Sequence, residues 1–440
     1  MGKGKIFALL LIMAALLCGC SVTTADEMYC LPKRSDDYNN VQTAIDKAMT
    51  DLSYCAPLSG ENQQPVQIVD LDGDGVDEYL LFAKSASNRP LRILVFQNIN
   101  GKYALTDTLD STGSSFEMVE YVQMDDKPGL EMVVGRQLND QMIRAVSVYT
   151  MKNGNMEQVI TVNYTKFLSV DLDNNGISEL MLLRPGNTDT DNGVVTLYSI
   201  NKDGTIERSN EVNMSRPVDK LKRIIVGKLH GGTSAVFLAS TVEDTALITD
   251  VFAMRENVLA NVSVSNESGT SIQTLRNYYI YADDIDNDGV VELPALINMK
   301  PRESVTTNER HHLIRWYALT PEGEEIDKLY TFHNFVGGWY LQLPNDLLPY
   351  MTVSTGVNLY EIYLWDSEYK NAEKLLTVYA LSAQNEDEQS AEDGRFVVYR
   401  NESMVYSAKL EEIASQYGLT QDDVIYRFRL IQQDWKTGET

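Results

Sequence analysis

The chain has 440 residues, 43% of them hydrophobic, with 63 acidic against 37 basic side chains and a net charge of −26. So acidic a body argues against nucleic acid as a partner and against direct docking on anionic headgroups, since both need a basic footprint. It favours cations, and the length suits two or three domains with real apolar cores.

The first residues set an address. Lys3 and Lys5 precede an unbroken apolar run from Ile6 to Leu17, too short to span a bilayer comfortably but suited to the central region of a secretory leader. Leu17-Cys18-Gly19-Cys20 resembles the bacterial lipobox, with Gly19 as the small residue before the lipidated cysteine and Leu17 three before it. Cys18 departs from that pattern, where Ala or Ser is usual, and an ordinary cleaved leader is the alternative. The resemblance implies that residues 1–19 are removed and that Cys20 is acylated. The mature protein then stays on the extracytoplasmic face of the cell membrane, since two acyl chains anchor stably where one does not. Loss of Lys3 and Lys5 makes the body two charges more acidic. No later segment is long and apolar enough to be a transmembrane helix.

With Cys18 lost and Cys20 acylated, Cys30 and Cys55 remain as an even pair in an exported chain, in similar Tyr-Cys-x-Pro contexts. They suit a disulfide, with two free thiols as the alternative. Residues 20–40 are polar and read as a tether. Val41, Ala44, Ile45, Ala48, Met49 and Leu52 follow helical spacing, predicting a helix from Val41 to Ser53 within an N-terminal segment 41–65.

From Val66 the period becomes that of strands, and a repeat emerges. Its clearest copy is Asp70-Leu71-Asp72-Gly73-Asp74-Gly75-Val76-Asp77-Glu78 followed by Tyr79-Leu80-Leu81-Phe82. Further copies begin at Asp171 and Asp284, each running into an apolar strand. These aspartates fall about two blade lengths apart, taking a propeller blade as roughly 50 residues. Degenerate copies stand between them, at 125–131 and at 227–232, the latter with no carboxylate left. Strand signals at Val66–Val69, Glu78–Ala83, Arg92–Gln97 and Tyr103–Thr108 give four per unit, the last two joined by a hairpin turn across Asn98-Ile99-Asn100-Gly101. The expected fold is mainly β, a β-propeller of five to seven four-stranded blades over 66–335. Residues 336–440 break the repeat and read as a small α+β domain with a helix over Ala408–Tyr417, or alternatively as one or two irregular closing blades.

The loops carry the chemistry. Alternate Asp/Asn side chains, a glycine at position six and an acid at position nine form a compact cage of hard oxygens, which is what calcium selects. The first loop offers Asp70, Asp72, Asp74 and Glu78 with the Val76 carbonyl. The second offers Asp171, Asp173, Asn175 and Glu179 with the Ile177 carbonyl. The third offers Asp284, Asp286, Asp288 and Glu292 with the Val290 carbonyl. An EF-hand is excluded because its twelfth position, which needs a bidentate acid, is Leu81, Leu182 or Ala295. A haloacid-dehalogenase start fails because Asp74 stands where threonine is needed and the motif recurs three times.

A short acidic loop between strands, repeated, resembles the FG-GAP/VCBS family of integrin-like calcium propellers. The resemblance implies structural calcium in hairpin loops along one rim, and it implies that the two degenerate units bind none. No Gly-x-Ser-x-Gly, His-Glu-x-x-His, Walker or Rossmann pattern occurs. His230, His311, His312 and His333 read as structural, and Trp316, Tyr317, Trp339 and Tyr340 as core. The expected function is a monomeric, non-catalytic binding or scaffold module for a protein or envelope glycan. The alternative is a polysaccharide-acting hydrolase or lyase.

Overall fold

The structure, a computed structural model, describes residues 36–138, 143–186, 191–243, 246–265, 268–302, 311–356, 358–381, 390–433 and 435. The leader, Cys20 and Cys30 lie outside these, and with them the lipidation and the Cys30–Cys55 pairing.

A helix spans Asp36–Ala48, starting inside the expected tether and ending before Ser53. It stops early because Asp51 takes a left-handed φ of 65° and Ser53–Tyr54 then pair with Ala83 and Lys84. Thereafter the chain is mainly β, folded into six antiparallel sheets of four or five strands. The first holds Ser53–Tyr54, Val66–Val69, Glu78–Lys84, Leu91–Ile99 and Lys102–Ser111; the second runs from Ser115 to Tyr164. The third spans Lys166 to Asn213 and the fourth Leu221 to Asn261. The fifth comprises Leu293–Asn298, His312–Leu319, Glu325–Asn334, Trp339–Leu343 and Phe428–Leu430, and the sixth lies between Met351 and Leu410.

The second strands explain the apolar runs that follow the acidic loops. Successive side chains of a strand face opposite ways, so a strand covered on both faces needs apolar residues at every position. Leu180 and Leu182 face a core shared with Val133, Val146 and Val148 of the second sheet. Met181 and Leu183 face a core shared with Val236, Leu238 and Phe252 of the fourth. The same arrangement joins first to second sheet through Leu80, Phe82, Phe116 and Met132 and fourth to fifth through Phe237, Val251, Leu293 and Tyr317. Fifth and sixth meet through Leu313, Phe332, Ile362 and Val378. Each such fully buried side chain contributes about 1.5–3 kcal/mol. The outer face of the first sheet packs Leu81, Ala83, Leu94 and Phe96 against Val41 and Ile45 of the helix. Among the described residues, no apolar cluster joins the sixth sheet to the first.

The C-terminal region, which carries strands and a helix at Gln421–Arg427, differs from its reading at the boundary and in the predicted helix. Trp339–Leu343 pairs with Tyr330–Asn334, so the fifth sheet crosses the expected boundary at 335/336, and Phe428–Leu430 returns to pair with it. The predicted helix at Ala408–Tyr417 is instead the end of a strand, Val405–Leu410, then a 3-10 turn over Glu412–Tyr417 closed by Gly418 at φ 65°. Val405, Tyr406 and Ala408 lie in a buried strand, and burial between neighbouring strands overrides the helical look of the segment.

Candidate metal centre

All three acidic loops occupy one position in the architecture, leading into the apolar strand that begins at Glu78, Glu179 or Leu293. In the first and third sheets a paired strand precedes the loop. In the fifth that strand shrinks to a single bridge between Asp283 and Glu292.

The loops share one backbone design. The ninth-position glutamate is buried, with Glu78, Glu179 and Glu292 only 4%, 8% and 0% exposed. Its carboxylate accepts the N–H of the second residue: Leu71 at 2.8 Å, Leu172 at 2.9 Å and Ile285 at 3.1 Å. The first aspartate accepts the N–H of the sixth-position glycine at 2.9 Å in each loop. Those glycines have φ of 87°, 86° and 86°, a left-handed geometry in which other residues are strained. Position four is left-handed too, filled by Gly73, Asn174 and Asn287.

This folding gathers charge. Asp70, Asp72 and Glu78 can place carboxylate oxygens within 4.8 Å of one another, as can Asp171, Asp173 and Glu179, and Asp284, Asp286 and Glu292. Burial raises Glu78 to about 7, opposed by the Leu71 N–H and reinforced by Asp72, Asp70 and Asp74. Burial likewise raises Glu179 and Glu292 to about 7. Two carboxylates about 5 Å apart repel by roughly 3 kcal/mol at an effective dielectric of 20. The donor set therefore fits a hard cation, and Glu292 Oε1 is buried without a hydrogen-bond partner. The fifth-position side chains stand apart from the three-carboxylate clusters. Asp74, Asn175 and Asp288 each turn back to accept the N–H two residues on, at 2.7, 2.7 and 2.9 Å.

The degenerate loop of the second sheet has the same frame. Met124 donates its N–H to Glu131 at 2.8 Å, which places Gln123, Asp125 and Lys127 at positions one, three and five. The Lys127 ammonium pairs with Asp125 at 2.6 Å, so a built-in cation occupies this loop. Sequence reading started that copy at Asp125 and missed the register; the glutamate seven residues after Met124 was the available signal. The loop at 227–232 has two left-handed glycines, Gly231 and Gly232, and no acid.

A second lysine touches the third acidic loop. Lys328, from the strand Glu325–Asn334, pairs with Asp288 and lies 3.8 Å from Glu292 Oε1. No positional rule of the motif could have indicated it, because it arrives from a neighbouring strand.

Successive loops also touch. Leu130 donates to the Leu71 carbonyl at 3.1 Å and Ser178 to Gln123 at 2.7 Å. Ser234 Oγ donates to Asn174 Oδ1 at 2.6 Å, and Val291 donates to Lys228 at 2.9 Å. The loops thus form one continuous edge across five sheets. Among the residues read as core, Trp316, Tyr317 and Trp339 are at most 1% exposed. His311 and His312 and, from the adjacent strand, His333 line a cavity between the fifth and sixth sheets.

No protein-family model matches the chain, and no characterised relative is found. Solved structures offer distant likenesses. A protein from Lactobacillus plantarum is 11% identical, with 73% of this chain and 86% of that chain covered and a TM-score of 0.28. Rhamnogalacturonan lyase YesW is 10% identical, with 85% and 96% covered and a TM-score of 0.30. A Bacillus licheniformis rhamnogalacturonan lyase is 10% identical, with 81% and 91% covered and a TM-score of 0.31.

Proposed function

We propose that this chain is a lipid-anchored, extracytoplasmic scaffold or binding protein whose six sheets form a propeller-like body, with calcium held in loops along one edge. The supporting observation is the threefold recurrence of one loop geometry, each copy bringing two aspartates and a buried glutamate together. Asp70, Asp72 and Glu78 would hold one ion, Asp171, Asp173 and Glu179 a second, and Asp284, Asp286 and Glu292 a third. Bound calcium would neutralise the crowded carboxylates and tie each loop to its neighbours. The role is structural, because these acids serve a repeated turn and not a single cleft. No aspartate or glutamate is among the described residues around the histidine-lined cavity, which favours binding over hydrolysis there.

Thermal melting with and without calcium tests the reading. At about 1 mM calcium and a site of about 0.1 mM affinity, each of the first two loops gains roughly 1.4 kcal/mol, and the third gains less because Lys328 already pairs with Asp288. Chelation should lower the melting temperature by several degrees and calcium should restore it. A melt indifferent to both would defeat the metal assignment. Anchoring is checked separately: palmitate labelling and membrane fractionation should both be lost in Cys20→Ser.

A further inference from the structure

Between the fifth and sixth sheets lies a cavity of about 470 Å³, within the size range of small-molecule sites. Tyr278 and Phe335 stack at 4.8 Å with their planes 7° apart on its wall, and Tyr360 joins them from the sixth sheet. His333 and Asn334 also line it, 6% and 5% exposed. Both ring nitrogens of His333 and the amide nitrogen of Asn334 lack a partner, although the Asn334 oxygen accepts the Gly337 N–H at 2.9 Å. Buried polar atoms are ordinarily satisfied, and leaving them bare is costly. Three unmet nitrogens around one cavity therefore point to an absent guest.

The lining defines that guest. None of the described residues around the cavity is Asp, Glu, Lys or Arg, so nothing there would pair with a fixed charge. The buried His333 ring stacks on Tyr340 at 4.8 Å and faces Trp435 at 5.8 Å. Burial lowers its pKa to about 3, so it offers one donor and one acceptor. The three histidines are not among the groupings able to converge on a metal. A guest must then combine an apolar face for the aromatic wall with neutral groups that both donate and accept. A sugar ring does so, with its C–H face against an aromatic and its hydroxyls towards His333 and Asn334. A phenylalanine side chain would leave all three nitrogens bare, and a tyrosine offers them a single hydroxyl where a sugar ring offers several.

We infer that this cavity binds an uncharged saccharide of one or two rings, with Tyr278 and Phe335 as the platform and His333 and Asn334 as the hydrogen-bonding pair. This rests on the binding-module reading above and specifies its ligand class.

The test is calorimetry on the full chain with neutral gluco-, manno-, galacto- and xylo-disaccharides, alongside digalacturonate and a tyrosine-containing tripeptide. At least one neutral disaccharide should bind saturably at one per chain and digalacturonate should not. His333→Phe, which keeps the stack and removes both nitrogens, should weaken binding about tenfold or more without lowering the melting temperature. Tyr278→Ala should weaken it independently. The inference is overturned if no neutral sugar binds at 10 mM (an upper limit of roughly 3 kcal/mol in affinity), if the tripeptide or digalacturonate binds as well, or if His333→Phe binds unchanged. Chromatography of the incubated sugar separates the two readings. A sugar bound and recovered intact supports both, whereas cleavage supports the cavity and sinks the non-catalytic role. Absence of binding with a calcium-dependent melt sinks the cavity alone.

Discussion

Replacing Lys328 by methionine should turn the third acidic loop from a weak metal site into one as tight as the other two. The ammonium pairs with Asp288 and lies 3.8 Å from Glu292, with the lysine side chain 15% exposed. The hydrogen bond to Asp288 raises the lysine's pKa further, so it stays charged. An incoming divalent ion faces two options. If the ammonium stays about 4 Å away, repulsion amounts to roughly 8 kcal/mol at an effective dielectric of 20, counting two positive charges on the ion. If the side chain swings out, the cost is one charge-assisted hydrogen bond, about 1.5–3 kcal/mol. Swinging out is cheaper, so that figure sets the penalty, and it corresponds to an affinity weaker by roughly 10- to 150-fold. Calorimetric titration of the chelated protein with calcium should show two tight sites and one weak site in the wild type. Lys328→Met should show three of similar strength, its apolar stem preserving the packing. Lys370→Met, which removes an exposed partner of Glu368, is the control and should leave the titration unchanged. Superposable wild-type and Lys328→Met titrations would refute the reasoning.

Three further outcomes follow from the same geometry. In chelated protein the three loop glutamates titrate near 7, above their ordinary 4.5; the folded state then holds protons the unfolded state has released, so stability should be fullest below about pH 4.5 and decline towards pH 7. Melts across that interval check the sign, a rise in stability would contradict it, and excess calcium should flatten the decline. Gln123→Asp with Lys127→Asp completes the acid pattern around Asp125 and Glu131, and the doubly substituted protein should bind one more calcium than wild type by equilibrium dialysis. Gly129→Ala would put a Cβ 2.3 Å from the Leu71 carbonyl at φ +103° and should destabilise by clearly more than the roughly 1–2 kcal/mol expected for Gly101→Ala. Gly101 also has a left-handed φ but nothing near its Cβ, so equal melts for the two variants would argue against close contact between the first two loops.

Much of this was legible because repetition in sequence is repetition in space. The acidic loops, the apolar strand after each, and the Asn100-Gly101 hairpin turn, with φ of 54° and 81°, all follow from local chemistry: short-range spacing, glycine at left-handed positions, and alternation lost where both faces are covered. What escaped depended on distant partners. The helix lays Val41 and Ile45 on the first sheet, a surface that a propeller repeat would assign to another blade. Trp339–Leu343 looked like the start of a new domain because its partners are Tyr330–Asn334 on one side and Phe428–Leu430 on the other, the latter contributed by the far end of the chain.

The register of the second loop shows which residue organises the set. Position nine is glutamate in four loops, including the one that carries lysine, and in all four it accepts the N–H at position two. That bond depends on backbone shape alone, so the buried glutamate fixes the turn whatever occupies it. Positions one, three and five then decide the occupant. Asp, Asp and Asp or Asn leave a negative cage for a divalent ion, whereas Gln, Asp and Lys supply an ammonium from within. The third acidic loop sits between these cases, with the acids of the first and a lysine borrowed from the strand beside it. A repeat that keeps its glutamate while changing its first and fifth positions would exchange the proposed metal for a covalently tethered charge without refolding the loop. Relief of repulsion among crowded carboxylates is what a bound divalent ion and the Lys127 ammonium would share.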